Sequence, residues 1–353
     1  MSSQKKTNVD VGRSFGLFFL AMLLPAMVCA DTLRVLSWPG YADDDLVKVF
    51  EARTGNQVSV TFIDSDEALW ERVRQNRGQD FDVFAVNTAE LQRYIHADLV
   101  SPIDTTKIPN IARQLPRFRQ PGSIRGLTHD GKVFAVPYTY AEMGLIYDRQ
   151  QVTQPPTSIT ALWDPQYRGT VLLYNSSTHN FSLAAQSLGI SDPFKLADNQ
   201  WTSVVNQLIA LRRNAMGFYT GPEESVTQFR QKHAALMLAN YGSQQMQLLR
   251  AAGADVGYAI PKEGALAWLD TWAITRRTKN MALAHAWINY LLEPEPSRAL
   301  EMRQGLANTI SEPPYLRPKD RIVWLEPAEN SERRQRLWER IYSGDRASRV
   351  MAP

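Results

Sequence analysis

The chain is predicted to fold as an α/β protein of two domains joined by a hinge. Short apolar strand segments alternate with amphipathic helical ones along most of its length. Its 353 residues, 44% of them hydrophobic, are more than one core organises. Around residues 133–148 two strand-like segments break the alternation, which then starts afresh.

Thr32–Ser37 alternates like a strand, and Asp43–Thr54 follows with Leu46, Val47 and Phe50 at helical spacing. The unit recurs as Gln57–Phe62 with Glu67–Gln75, and as Asp82–Val86 with Thr88–Ala97. Val133–Pro137 and Gly144–Asp148 read as strands separated by a loop, Tyr138–Met143. Beyond Pro155 and Pro156 come strand Gly169–Leu173, helix His179–Leu188 and helix Trp201–Arg213. Helix Glu223–Arg230, strand Ala234–Ala239 and helix Ser243–Ala251 follow, then strands Val256–Ala259 and Trp268–Ile274 and helix Met281–Leu292.

Residues 1–30 read as a secretory signal: Lys5, Lys6 and Arg13 precede an apolar run, Phe15–Leu24, and Val28 and Ala30 fit a cut before Asp31. Even extended to Ala30, the apolar stretch is roughly 15 residues, against about 20 for a membrane span. Cys29 offers a lipid-anchored alternative, although Val28 stands where such signals carry a small residue. Cleavage removes the only cysteine, so the mature chain forms no disulfide and no thiolate metal site. The net charge is +3 overall; Lys5, Lys6 and Arg13 less Asp10 leave the mature chain near +1, no footprint for nucleic acid. A soluble periplasmic monomer without a cofactor is expected.

No GxGxxG, Walker A, GxSxG or HExxH pattern occurs, and His96, His129, His179, His233 and His285 lack metal-ligand spacing. An enzyme is not expected. Asp43, Asp44 and Asp45 open a predicted helix, where carboxylates cap free N–H groups and favour the dipole; a metal site is the alternative. The Arg-rich segment Arg333–Arg349 is interspersed with Glu339 and Asp345 and reads as a solvated helix.

Trp38 and Tyr41 fall just after the first strand, where open α/β sheets bind ligands. Trp268 and Asp270 lie two apart on a later strand, which points both to one face. Indole and phenol faces attract an ammonium by about 0.5–2 kcal/mol each, and a carboxylate supplies its charge-assisted hydrogen bond. A small amine-bearing ligand is therefore expected; packing in the core or rim is the competing reading for these aromatics.

The segments LSWPGYADDDLVKVFEARTGNQV, FIDSDEAL, FDVFAVNT, KVFAVPYTYAEMGLIYD, ANYGS and PKEGALAWLDTWAI, in this order, resemble the polyamine-binding components of bacterial ABC importers, the spermidine/putrescine-binding group. The resemblance implies a two-lobed periplasmic binding protein fold of type II, each lobe a discontinuous α/β domain. The expected lobes are 31–138 with 271–308, and 139–270 with 309–353. It implies that Trp38 and Tyr41 form an aromatic wall, that Trp268 and Asp270 grip an amine, and that Asn87 and Thr88 offer polar neighbours. Ser176 and His179 stand where the family usually has an acidic pair, Asn240 where it has a tryptophan, Ala89 where it has a tyrosine, and Leu306 near another aromatic position. Glu142, Glu223 or Glu224 could replace the lost acids, and a protonated His179 would repel a cation. The implied partner is an ABC permease, so that the outcome is uptake; the alternative is a membrane receptor, so that the outcome is signalling.

Overall fold

The computed structural model describes residues 1, 2, 4, 30–313, 315–317 and 319–352. Lys5, Lys6, Arg13, Val28 and Cys29 of the expected signal segment lie outside them. Among the described residues no helix is long and apolar enough to cross a membrane.

From Asp31 onward the described chain builds two large sheets and a two-stranded ribbon, Thr128–His129 with Lys132–Val133. It begins β1 (Thr32–Ser37), α1 (Asp44–Thr54), β2 (Gln57–Phe62), α2 (Asp66–Arg74), β3 (Val83–Asn87) and α3 (Thr88–His96). Short strands β4 (Val100–Ser101), β5 (Thr128–His129) and β6 (Lys132–Val133) lead to β7 (Ala135–Met143). A second series follows: β8 (Leu145–Asp148), β9 (Val171–Tyr174), α4 (Ser177–Ser187), α5 (Trp201–Asn214), β10 (Ala215–Tyr219), α6 (Pro222–Gln231), β11 (Leu236–Leu238), α7 (Gly242–Ala251) and β12 (Val256–Ala259). The chain returns through β13 (Ala265–Thr275), α8 (Met281–Leu291), α9 (Pro294–Gln304), β14 (Ala307–Asn308) and β15 (Ile322–Trp324), and ends in α10 (Ser331–Tyr342) and α11 (Ala347–Val350).

The larger sheet has the order β14-β7-β13-β3-β1-β2, with β4 and β15 also pairing β13; the smaller has the order β10-β9-β11-β8-β12. Apolar clusters lie on both faces of each sheet. The predicted α/β class and two-lobed organisation match this architecture.

The strand elements β7 and β13 connect the two halves. They pair antiparallel from Leu266 opposite Met143 to Ala273 opposite Ala135, wholly within the larger sheet. The loop expected at Tyr138–Met143 is therefore strand. Pro137 sits where the register shifts and Tyr138 is the extra residue, a place that tolerates a missing N–H. The chain leaves the larger sheet after Met143 and re-enters at Ala265, and β15 pairs with β13. The expected boundaries at 138, 270 and 308 accordingly fall within or short of elements of the larger sheet. At the crossing α7 approaches β7 closely: Gly242 has φ +48°, and a Cβ there would lie 2.9 Å from the Glu142 carbonyl oxygen.

One local expectation changes at α1. Asp43 is the N-cap but makes no side-chain cap bond. Asp43 and Asp45 instead hold the Arg303 guanidinium of α9, at 2.8 and 2.7 Å.

Candidate functional site

In the larger sheet β1 runs parallel to β2 on one side and β3 on the other, so the connections after it diverge and leave a crevice at the carboxyl ends. Trp38 and Tyr41 follow β1, Asp66 follows β2, and Asn87 and Thr88 follow or end β3. The smaller sheet repeats the arrangement, with β9 parallel to both β10 and β11. Tyr174 ends β9 and Ser176 and His179 follow it, while Asn240 and Tyr241 follow β11.

The first side is acidic. Register places Asp270 opposite Asn87 on β3 and Thr139 on β7. Asp270 is 7% exposed and accepts a 2.6 Å hydrogen bond from the Tyr41 hydroxyl. Burial pushes its carboxyl up to about 7, against the opposing pull of that bond. Tyr41 is raised in turn, first by burial and then by the Asp270 charge, and it packs edge-on against Tyr138 at 5.4 Å. Asp66 opens α2, which Ser65 caps by accepting from the Ala68 amide. Its carboxylate accepts from Asn87 Nδ2 at 3.1 Å, and burial, then Glu90 and Asp270, push it up to about 8. Asn87 Oδ1 meanwhile caps α3 by accepting from the Glu90 amide.

The second side is uncharged. Tyr174 stacks on His179 with centroids 5.5 Å apart and meets Tyr241 edge-on. Burial holds His179 down at about 4, with the Asn240 side chain acting in the opposite sense. Asn240 is 3% exposed; its amide donates to the Tyr219 hydroxyl and its carbonyl accepts from Trp268 Nε1 at 2.9 Å. The shielded polar atoms without a hydrogen-bond partner include Asn240 Oδ1, His179 Nδ1 and Trp38 Nε1. The two sides face each other. The Asp66 charge reaches Tyr174, Tyr241 acts on Tyr41, and Trp268 packs against a core of each sheet.

The fold thus brings together Trp38, Tyr41, Asn87, Trp268, Asp270, His179 and Asn240 of the expected site. Ser176 is the N-cap of α4, its hydroxyl occupied by the His179 amide. Thr88 is buried and donates to the Leu325 carbonyl. Glu142 does not join the cage. The β7/β13 register opposes it to Ala267 and opposes Ala141 to Trp268, so alternation turns Glu142 to the face away from Trp268 and Asp270. Glu223 and Glu224 are exposed in the first turn of α6, and Glu224 is tied back to Thr220 and Gln228. None of the three proposed glutamates replaces an acid in the cleft. The acid that sequence reasoning missed is Asp66; applying the strand-end rule to β2, as to β1, finds it. Tyr174 and Tyr241 follow from the same rule applied to β9 and β11.

A cleft between two α/β lobes joined by paired strands, with aromatic and polar groups from both at the strand ends, defines a solute-binding protein. The chain belongs to the family of bacterial extracellular solute-binding proteins, whose model matches residues 45–311. It is 23% identical over 311 residues to spermidine/putrescine-binding periplasmic protein 1 of Haemophilus influenzae, covering 83% of this chain and 82% of that one. It is 25% identical over 279 residues to the putrescine-binding periplasmic protein PotF of Escherichia coli, covering 75% and 74%. The crystal structure of the spermidine/putrescine ABC transporter substrate-binding protein PotD from Streptococcus pneumoniae shares the fold, with a TM-score of 0.73 at 21% identity over 91% of this chain and 99% of that one.

Proposed function

We propose that this protein, exported to the periplasm with removal of residues 1–30, captures a small amine-bearing solute between its lobes and delivers it as a monomer to an ABC permease. The observation that carries the reading is Asp270: a 7% exposed carboxylate whose one hydrogen-bond donor is Tyr41, beside a second acid, Asp66, and among the rings of Trp38, Tyr41 and Trp268. A buried carboxylate held by one neutral donor is poorly compensated, and a cation between Asp66 and Asp270 completes its charge and its hydrogen bonds. Each lobe supplies part of the lining, so both sets of contacts form only in the closed state. The ligand thereby shifts an open–closed equilibrium that a membrane partner can read. The names of the relatives and the expected export signal support uptake; no observation favours coupling to a signalling receptor.

The test is calorimetric titration of residues 31–353, unfolded and refolded to strip carried solute, with putrescine, cadaverine, spermidine, norspermidine, spermine and mono-amines. Sub-micromolar binding that collapses in Asp270→Asn supports the reading. No binding of any amine, or full affinity in Asp270→Asn, removes it.

A further inference from the structure

The two walls of the cleft differ in charge. The larger sheet contributes two carboxylates, Asp66 and Asp270, linked through Asn87, whose side chain bonds Asp66 and whose backbone pairs with Asp270. The smaller sheet contributes Tyr174, Ser176, His179, Asn240 and Tyr241, with no ionised side chain among them. Its nearby acids are turned elsewhere: Glu224 closes on Thr220, and the carboxylate of Glu329 binds Arg334 behind α4. The Tyr241 hydroxyl is used by the Thr220 carbonyl, and the Ser176 oxygen by the helix cap. Two shielded polar atoms on this wall, Asn240 Oδ1 and His179 Nδ1, make no hydrogen bond of full geometry, although the Asn240 side chain lies within reach of His179. The first is an acceptor; the second accepts or donates according to tautomer.

We infer that the solute carries one cationic head, held by Asp66 and Asp270, and at its other end an uncharged group with N–H or O–H donors, such as an amide, an acetylated amine or an alcohol, in place of a second ammonium. The inference rests on the amine reading above. A second ammonium against the smaller sheet would be desolvated among neutral groups with no carboxylate to balance it. A neutral donor there satisfies Asn240 Oδ1, a shielded acceptor that is costly to leave unpaired. His179 supports the same assignment, because its surroundings keep it uncharged: neither a counter-ion for an anion nor a carboxylate for a cation.

The experiment compares four ligands of equal chain length by calorimetry at pH 8: 1,4-diaminobutane, N-acetyl-1,4-diaminobutane, 4-aminobutan-1-ol and 4-aminobutanoate. Each is measured on the wild type, on Asp270→Asn and on Asn240→Asp, which places a carboxylate on the neutral wall; circular dichroism confirms that each variant is folded. The expected result is that the acetylated amine or the alcohol binds at least tenfold more tightly than the diamine and the amino acid, and that Asn240→Asp reverses the preference toward the diamine by tenfold or more. The inference is overturned if the wild type binds the diamine or the amino acid as tightly as the neutral-ended compounds. It is overturned too if Asn240→Asp folds and leaves the order unchanged. Asp270 separates the two levels: equal, Asp270-dependent binding of all the amines leaves the amine reading standing and this inference fallen, whereas no binding, or binding indifferent to Asp270→Asn, brings down both.

Discussion

Replacing Asp270 by asparagine is expected to stabilise the ligand-free protein while abolishing its affinity for a cation. The carboxyl rises from its ordinary 3.8 to about 7 because burial disfavours the charge more than the Tyr41 hydroxyl favours it. Each pKa unit corresponds to about 1.4 kcal/mol, so the ionised form is disfavoured by up to ~4 kcal/mol in the closed cleft. Hydration of the cleft and the unmatched amide of asparagine return part of this, leaving a gain of about 1–3 kcal/mol. The sign follows from linkage. Between pH 4 and 7 the folded state holds a proton that the unfolded chain releases, so stability falls as pH rises through this window. Below pH 4 both states are protonated and the substitution is nearly neutral; its benefit is complete at pH 8. With about 2.1 cal/mol/K of unfolding entropy per residue, each kcal/mol shifts Tm of a chain this long by roughly 1.5 °C. Calorimetric melting at pH 4 and pH 8 should therefore show no shift and a rise of a few degrees, while amine affinity at pH 8 falls by about 3–5 kcal/mol, more than a hundredfold. A Tm that falls at pH 8, or rises equally at both pH values, would refute the reasoning.

Amine affinity should rise with pH by roughly a hundredfold or more between pH 6 and 8, because Asp66 and Asp270, pushed up to about 8 and about 7, must lose protons to bind a cation. His179, held at about 4, stays neutral across this range, so His179→Gln should leave the profile unchanged; a flat titration would contradict the assignment of both acids. Glu142 is 1% exposed, lies off the cleft with neither carboxylate oxygen bonded, and is pushed up to about 7 by burial. Glu142→Gln should thus keep ligand affinity within about twofold and raise thermal stability at pH 8 by roughly 1 kcal/mol. A tenfold loss of affinity would return Glu142 to the site. Arg334, fully buried, bonds Glu329, Ser182 and the Pro193 carbonyl. Arg334→Leu strands the acid and should destabilise the smaller-sheet lobe by about 3–5 kcal/mol, read as a loss in denaturant midpoint.

The fold was legible where local pattern and packing agree. β1, β2 and β12 are delimited almost to the residue, because each is bounded by turn or cap residues and the chain alternates around them. β7 was not. Its nine residues are all buried, so neither periodicity nor polarity marks it. Only its pairing with β13 and β14 makes Ala135–Met143 a strand, and no local window contains that information. The site divides in the same way. Trp38, Tyr41, Trp268 and Asp270 stand at strand ends or on one strand face, which sequence spacing reveals. Glu142 was misplaced because its face depends on the register of β7. The pairing of Asp66 with Asn87, and their meeting with Asp270, depend on how three strands lie side by side.

The most direct measurement is a crystal structure of residues 31–353 with the tightest-binding amine from the titrations. The account predicts a closed cleft with the ligand's cationic nitrogen within about 3 Å of carboxylate oxygens of Asp270 and Asp66, between the rings of Trp38 and Trp268. An amine bound elsewhere, or one whose cationic nitrogen lies against His179 and Asn240 and leaves Asp270 paired to Tyr41 alone, would contradict it.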